Sequence, residues 1–446
     1  MKTIAPQKGK IIALLPLLLF VFTFLGAGIY LNDFYALPSP IAVVMGIALA
    51  FVLFRESMDS KVSTFLRGCG DDKIMTMCVI YLLAGAFAVV TEATGSVAAV
   101  VELGMQVISI EFLYAGIFIL AAFLSFSSGT SVGAIVALAA IVVGFSEKTG
   151  ASLAILSASL LGGAMFGDNL SFISDTTIAA TQSLECEMKD KFRQNFRIAL
   201  PAAILTILIL IFQGSSLSQA AILPAGEIDL IKILPYLLVI SLAIAGINVF
   251  VVLFTGILAA GALGLYFSDF GMLEFAKLSY EGFTGMTEIF LLSMLTGGLA
   301  AMVTRAGGLD YISNLFTGKL TKKTGYFGIG GLVALTNFAV ANNTVSIIVT
   351  GSIVKEVKDR LKLEKEKAAS VLDIFACIIQ GILPYGAQVL LLLSYAEGRM
   401  GYFELVLNAW YLWLLMGSTI IFFSFKMRPP KAGRIAPLLA EVKKAG

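Results

Sequence analysis

Residues 166–177 read FGDNLSFISDTT and follow directly on SLAILSASLLGGAM, a stretch without a single charge. Asp168, Asn169, Ser171, Ser174, Asp175 and Thr176 thus gather carboxylate, amide and hydroxyl oxygens at the end of an apolar run. Hard cations take such ligands, and sodium is expected to do so by analogy with calcium and magnesium. A carboxylate in hydrocarbon is costly, so an acid at that depth is a functional candidate by default. Asp168 alone could exchange ions: ionised it holds sodium, protonated it lets sodium go. Asp175 is a second candidate sodium ligand, or the cap of the helix that follows, since Asp before Thr-Thr suits a helix start. The chain has no histidine, so proton handling falls to carboxylates. Its four cysteines are scattered without metal-ligand spacing, and no cofactor is expected.

The elements that must position these groups follow from composition. Of 446 residues, 58% are hydrophobic and 13% charged, with a mean hydropathy of +0.93. That charge content is about half of what soluble domains carry. Runs such as 11–29, 38–54, 74–91, 198–213 and 405–424 are long and apolar enough to read as membrane spans. Ten spans are predicted, at 11–29, 38–55, 74–91, 152–180, 196–213, 230–248, 249–267, 286–304, 370–395 and 405–425. With the N-terminus inside, cytoplasmic segments hold 27 of the 31 Lys and Arg. That asymmetry places both termini in the cytoplasm of a multi-pass inner-membrane protein.

The chain also repeats itself. LLAGAFAVVTEATG (82–95) lines up with LTGGLAAMVTRAGG (295–308), an offset of 213. SSGTSVGAI (127–135) falls on VANNTVSII (340–348) at the same offset. ASLAILSASLLGG (151–163) falls on ASVLDIFACIIQG (369–381), the offset growing to 218 across a charged run (355–367) read as a solvated loop. Two halves, 1–213 and 214–446, follow. Each carries an odd number of spans, so the halves insert with opposite topology. The fold class expected is an all-α polytopic membrane protein: two inverted-topology repeats of five spans plus one re-entrant hairpin each.

The hairpins come from stretches that fit no span. Residues 111–145 are too long for one crossing and turn at SFSSGTS; residues 326–354 turn at NFAVANNTVS. Each is followed by an interrupted span, broken at 167–177 in 152–180 and at PYGAQ (384–388) in 370–395. Irregular backbone at membrane depth survives only where protein or a water-filled cavity satisfies it. Interrupted segments at matching positions of two inverted halves point to a transport site. Ser128, Thr130 and Ser131 of the first tip, and Asn342, Asn343 and Thr344 of the second, are therefore candidate ion-binding residues. Asn337, Tyr385 and Gln388 complete the set. Asp373, near the basic start of its span, reads better as half of a local ion pair.

GDNLSFISDTT, preceded by Gly162-Gly163, resembles the signature of the NhaC-type sodium/proton antiporters within the ion transporter superfamily. The resemblance covers nearly the whole chain, with Phe172 where a proline is usual. It implies sodium/proton exchange, with malate and lactate exchanged by some members, and an elevator-type transport domain moving against a dimeric scaffold. The partners expected are sodium, protons, the lipid bilayer and a second copy of the chain, with no nucleic acid.

Two other readings stand beside this one. The same fold could couple sodium or protons to a small organic acid or amino acid, held by half-helix ends and hairpin amides. No intramembrane Arg offers the bidentate grip that a dicarboxylate favours. An intramembrane aspartyl protease is the reading from another class, because FGDN approaches a Gly-x-Gly-Asp site. Met165 stands at the first glycine, and a shared-proton dyad needs two carboxylates face to face. A transporter rather than an enzyme is expected.

Overall fold

In hydrocarbon a backbone must satisfy its own polar groups, which leaves the helix as the element for chains like this one. The computed structural model describes residues 11–30, 37–217, 229–267, 269–317, 320–322 and 324–425, and these contain helices and no strand. The predicted cytoplasmic termini, and residues 218–228 between the fifth and sixth predicted spans, lie outside the described residues.

In the first half the helices are α1 (Leu15–Tyr30), α2 (Ser39–Leu53), α3 (Met58–Cys69), α4 (Asp72–Ala93) and α5 (Ser96–Val107). The hairpin arms α6 (Leu113–Ser128) and α7 (Ser131–Thr149) follow, then the broken pair α8 (Leu153–Leu170) and α9 (Asp175–Leu184), then α10 (Met188–Gly214). The second half brings α11 (Leu234–Ile244), α12 (Val249–Phe267), α13 (Met272–Gly285), α14 (Thr287–Arg305) and α15 (Gly308–Thr317). Its hairpin is α16 (Gly325–Val340) and α17 (Asn343–Leu361), and its broken pair α18 (Lys365–Ile382) and α19 (Ala387–Ala396). A short α20 (Tyr402–Leu407) leads into α21 (Trp410–Phe425). All ten predicted spans are helical, and both interruptions fall where expected.

The halves recur element by element. The arms are 16 and 19 residues long in both hairpins, and the broken pairs 18 and 10 in both. Each hairpin turns through one left-handed residue, Gly129 at φ 71° and Ala341 at φ 56°. Each then restarts on a side-chain cap, Thr130 accepting from the Gly133 N–H and Asn342 from that of Val345. The Tyr114 hydroxyl accepts from the Ser152 N–H, as Tyr326 does from that of Glu364.

This register corrects the sequence alignment in two places. The tips match at an offset of 212, not 213, and the broken spans keep that offset instead of drifting to 218. The physical reason is that the charged run 355–367 is no loop. Residues up to Leu361 continue α17, Lys362 turns in the left-handed region, and α18 starts at Lys365. The arms also run longer than the stretches 111–145 and 326–354.

Some residues bond their own counterparts. The Cys78 thiol points to the Phe290 carbonyl (3.6 Å) and the Cys377 thiol to that of Met165 (3.5 Å), each pair 212 residues apart. A residue can meet its own equivalent only on a two-fold axis. Helix contacts sort into two groups about it. α1–α4 pack with α11–α14, whereas the hairpins, broken pairs, α10 and α21 pack together. The second arms interlock the halves, α7 lying against α19 and α17 against α9.

Candidate ion-binding site

The first break is built by three local choices. α8 closes at Ser171, whose N–H returns to the Gly167 carbonyl; residues 171–174 run irregular; Ser174 in extended backbone opens α9. Glycine makes the approach of the hairpin possible. A Cβ at Gly163 or Gly167 would collide with the carbonyls of Phe118 and Ala122 on α6. α6 and α8 therefore touch backbone to backbone, and the hairpin tip reaches the break.

Asp168 sits in the last turn of α8 and is buried. Ser131, from the tip, donates its hydroxyl to one carboxylate oxygen (2.9 Å) and Ser174 to the other. The Ser174 hydroxyl also lies 2.9 Å from that of Thr176. From the second break, the Gln388 amide donates to Ser131 (3.0 Å), and Gln380 donates to Gln388 (3.0 Å). A hydrogen-bonded chain thus joins both breaks through one carboxylate.

A second cluster lies one residue on. Lys191 of α10 pairs with Asp373 of α18 at 2.6 Å, both side chains essentially inaccessible. The Lys191 ammonium also donates to the Thr177 hydroxyl and the Asn169 carbonyl. Asn195 and Asn169 donate to the same Asp373 oxygen, and Ser370 donates to Asn195. The ammonium faces the negative end of the α8 dipole, where a cation is favoured. Losing one partner of such a pair costs about 3–5 kcal/mol.

The other expected residues scatter around this centre. Asp175, the first residue of α9, has a largely exposed side chain and pairs with Lys73 of α4. The helix start at Ser174 turns this side chain toward water and away from the Asp168 carboxylate. Ser171 donates to the Phe126 carbonyl, tying the break to α6. Ser128 lies half-buried beside the Thr130 carbonyl, and Thr130 serves as cap. Asn342 is the matching cap, while Asn343 and Thr344 are buried in the first turn of α17. Tyr385 donates to the Phe338 carbonyl, and Asn337 to that of Ala376. Asp373 is half of an ion pair, as expected, but its partner is Lys191 of α10 and not a residue near the start of its own span.

Lys191, Asn195, Ser370 and Gln380 escaped the sequence reading. Lys191 falls among the basic residues that the charge asymmetry assigns to cytoplasmic segments, but it lies buried. The available signal was the i, i+4 spacing of Lys191 and Asn195 on one helix face. Among the described residues no three His, Cys, Asp or Glu cluster to hold a metal ion. The polar groups at the break are one carboxylate with hydroxyls and amides. A separate cavity of about 690 Å³ opens between the two helix groups, with Glu92, Glu147, Glu281, Glu397 and Arg399 among its lining.

Comparison with known proteins adds the context. The chain matches the profile described as "Na+/H+ antiporter family" twice, over residues 8–215 and again over 216–426. It is 23% identical over 422 residues to a malate-2H(+)/Na(+)-lactate antiporter of Bacillus subtilis, covering 86% of each chain. It is 26% identical over 295 residues to the Na(+)/H(+) antiporter NhaC of the same organism, covering 58% of this chain and 64% of that one. It is also 23% identical over 428 residues to the arginine/ornithine antiporter ArcD of Halobacterium salinarum, covering 86% of this chain and 85% of that one.

Proposed function

The chain belongs to the Na+/H+ antiporter family, and from that premise we propose that it exchanges sodium for protons at Asp168. One observation carries this reading. The buried acids among the described residues are Asp168 and Asp373; Asp373 has its counter-ion in Lys191, whereas only hydroxyls bond Asp168. A buried carboxylate without a cation is unfavourable unless something neutralises it. Sodium and a proton each do so, and they exclude one another. The Asp168 carboxylate is then neutralised when loaded with either and bare when empty, and a bare buried carboxylate crosses a low-dielectric barrier poorly. That difference makes transport an exchange. Ser131, Ser174 and Thr176 supply hydroxyl oxygens to sodium, and Gln388 positions Ser131. Asp175 stays outside this shell.

The movement proposed is elevator-like, with opposite insertion of the halves and cytoplasmic termini. The hairpins, broken pairs, α10 and α21 form the moving group, and α1–α4 with α11–α14 the scaffold of a homodimer. The sorting of helix contacts supports this division.

A sodium gradient imposed on proteoliposomes tests the exchange through internal pH. Wild type moves protons against sodium. Raising pH frees Asp168 for sodium, and acid lowers apparent sodium affinity. Asp168→Asn keeps size and hydrogen bonding but cannot ionise, and exchange falls to background. Wild-type rate and pH dependence in that variant would end the reading.

A second reading is favoured by the cavity, whose size suits a small organic ion and whose lining carries more acids than bases. A basic amino acid fits that charge better than a dicarboxylate. Sodium-driven uptake of labelled arginine, lactate or malate separates the two readings.

A further inference from the structure

The second break carries no acid, yet it holds polar groups that its own contacts do not use. Gln380 stands 212 residues after Asp168 and Asn337 as far after Ser125. In the first half, Ser125 donates to the Ala164 carbonyl, one turn before Asp168. In the second, Asn337 donates to the Ala376 carbonyl at 2.9 Å, one turn before Gln380. Both amides therefore flank the same turn of α18. Both residues are wholly buried, and Asn337 Oδ1 and Gln380 Oε1 have no hydrogen-bond partner.

Their orientations are dictated. Asn337 must turn its NH2 to a carbonyl. The single Ser131 proton goes to the Asp168 carboxylate, so Ser131 accepts from Gln388. Gln388 Oε1 then accepts from Gln380 Nε2, which leaves the Gln380 oxygen as an acceptor with nothing to accept. Buried acceptors rarely stay in that condition. Two of them beside one helical turn, Gln380 on α18 and Asn337 reaching it from α16, call for a ligand that is positive and needs only oxygens, a hard monovalent cation.

We propose that Asn337 Oδ1 and Gln380 Oε1 form a neutral cation subsite at the second break, the counterpart of Asp168, and that it takes sodium. The inference rests on the reading that the chain carries sodium, and adds a second ion to it. Lacking charge, the subsite binds more weakly than Asp168 and persists without it.

Equilibrium binding of radioactive sodium to the purified full chain decides the matter. Wild type is expected to bind two ions and Asp168→Asn one, with the remaining ion lost on adding Gln380→Met. Gln380→Met alone is expected to leave one ion. Gln380→Glu, matched in size, gives the subsite a charge and should tighten its sodium at least about tenfold, the scale of one charge-assisted bond. A wild type that binds a single ion, abolished by Asp168→Asn, overturns the subsite and leaves the exchange reading standing. Unchanged binding in Gln380→Met overturns it as well. Should that variant not fold, unchanged affinity in Gln380→Glu does the same. Exchange by Asp168→Asn proteoliposomes would instead end the reading on which the subsite rests.

Discussion

The two breaks share one backbone and differ in what it carries. Both pair an 18-residue helix with a 10-residue one, and both are met by a capped hairpin tip. The first carries Asp168 in the last turn of α8 beside a glycine-lined contact; the second carries Gln380 at the same place in α18. Duplication explains the common geometry, because caps and left-handed turns survive as long as the backbone must turn there. Chemistry diverged on top of it. One charged site suffices when sodium and a proton compete for it, and a second unpaired acid would add a second cost of burial. The lesson is that symmetry locates such a site, and asymmetry says what it does.

The largest expected effect breaks the charge balance beside the first break. Lys191→Met leaves Asp373 buried without its counter-ion and should cost about 3–5 kcal/mol, read as a fall in melting temperature in detergent. Lys191→Met combined with Asp373→Leu removes both charges and should recover most of that loss. If the double variant melts as low as the single, the pair is not what holds α10 to α18.

Packing gives the next effect, and it too separates the halves. Position 118 is Phe and 163 Gly in the first half; their equivalents are Gly330 and Phe375. A Cβ at Gly163 meets the Phe118 carbonyl, whereas one at Gly330 meets only the Phe375 ring. A ring can shift but a helical carbonyl cannot. Gly163→Ala should therefore cost more than Gly330→Ala, which at an overpacked site is about 1–3 kcal/mol. Equal costs would mean that the two α-hairpin contacts are equally yielding.

Much of this was legible in the sequence, for identifiable reasons. Membrane spans need long apolar runs, and breaks in them need polar residues, so both signals are written locally. Asp168 stood out because an acid in an oily helix needs a purpose. Side-chain direction was not legible. Asp168 and Asp175 lie seven residues apart in one motif, yet a helix end between them sends one inward and one to water. Lys191 looked like any basic residue near a cytoplasmic boundary. Its burial depends on Asp373, distant in sequence. The register of the repeat failed at 355–367, because charge marks solvent exposure and says nothing of where a helix stops.

An effect of similar size concerns the tip. Ser131→Ala removes one hydroxyl from the Asp168 carboxylate and frees the Gln388 amide, without touching any charge. Losing one charge-assisted hydrogen bond of about 1.5–3 kcal/mol should weaken sodium binding roughly ten- to hundredfold. Asn343→Ala, at the matching position of the second tip, should change it far less, since no carboxylate faces it. Similar losses in both would mean that the two tips contribute alike, and the asymmetry drawn here would be wrong.

The smallest effect falls on the residue that the motif makes most conspicuous after Asp168. Asp175 stands at the first position of α9, where a negative charge suits the helix dipole, and its partner Lys73 is itself nearly half exposed. Pairs in water are worth at most about 1 kcal/mol, and salt screens them. Asp175→Asn should therefore leave sodium affinity and the pH dependence of exchange close to wild type. What it removes is a link between α9 and α4, which belong to the two helix groups proposed to move against one another. Any change should appear in the rate of exchange, and high salt should reproduce it in the wild type. A variant whose sodium affinity collapses as in Asp168→Asn would show that Asp175 turns inward during the cycle and serves the ion directly.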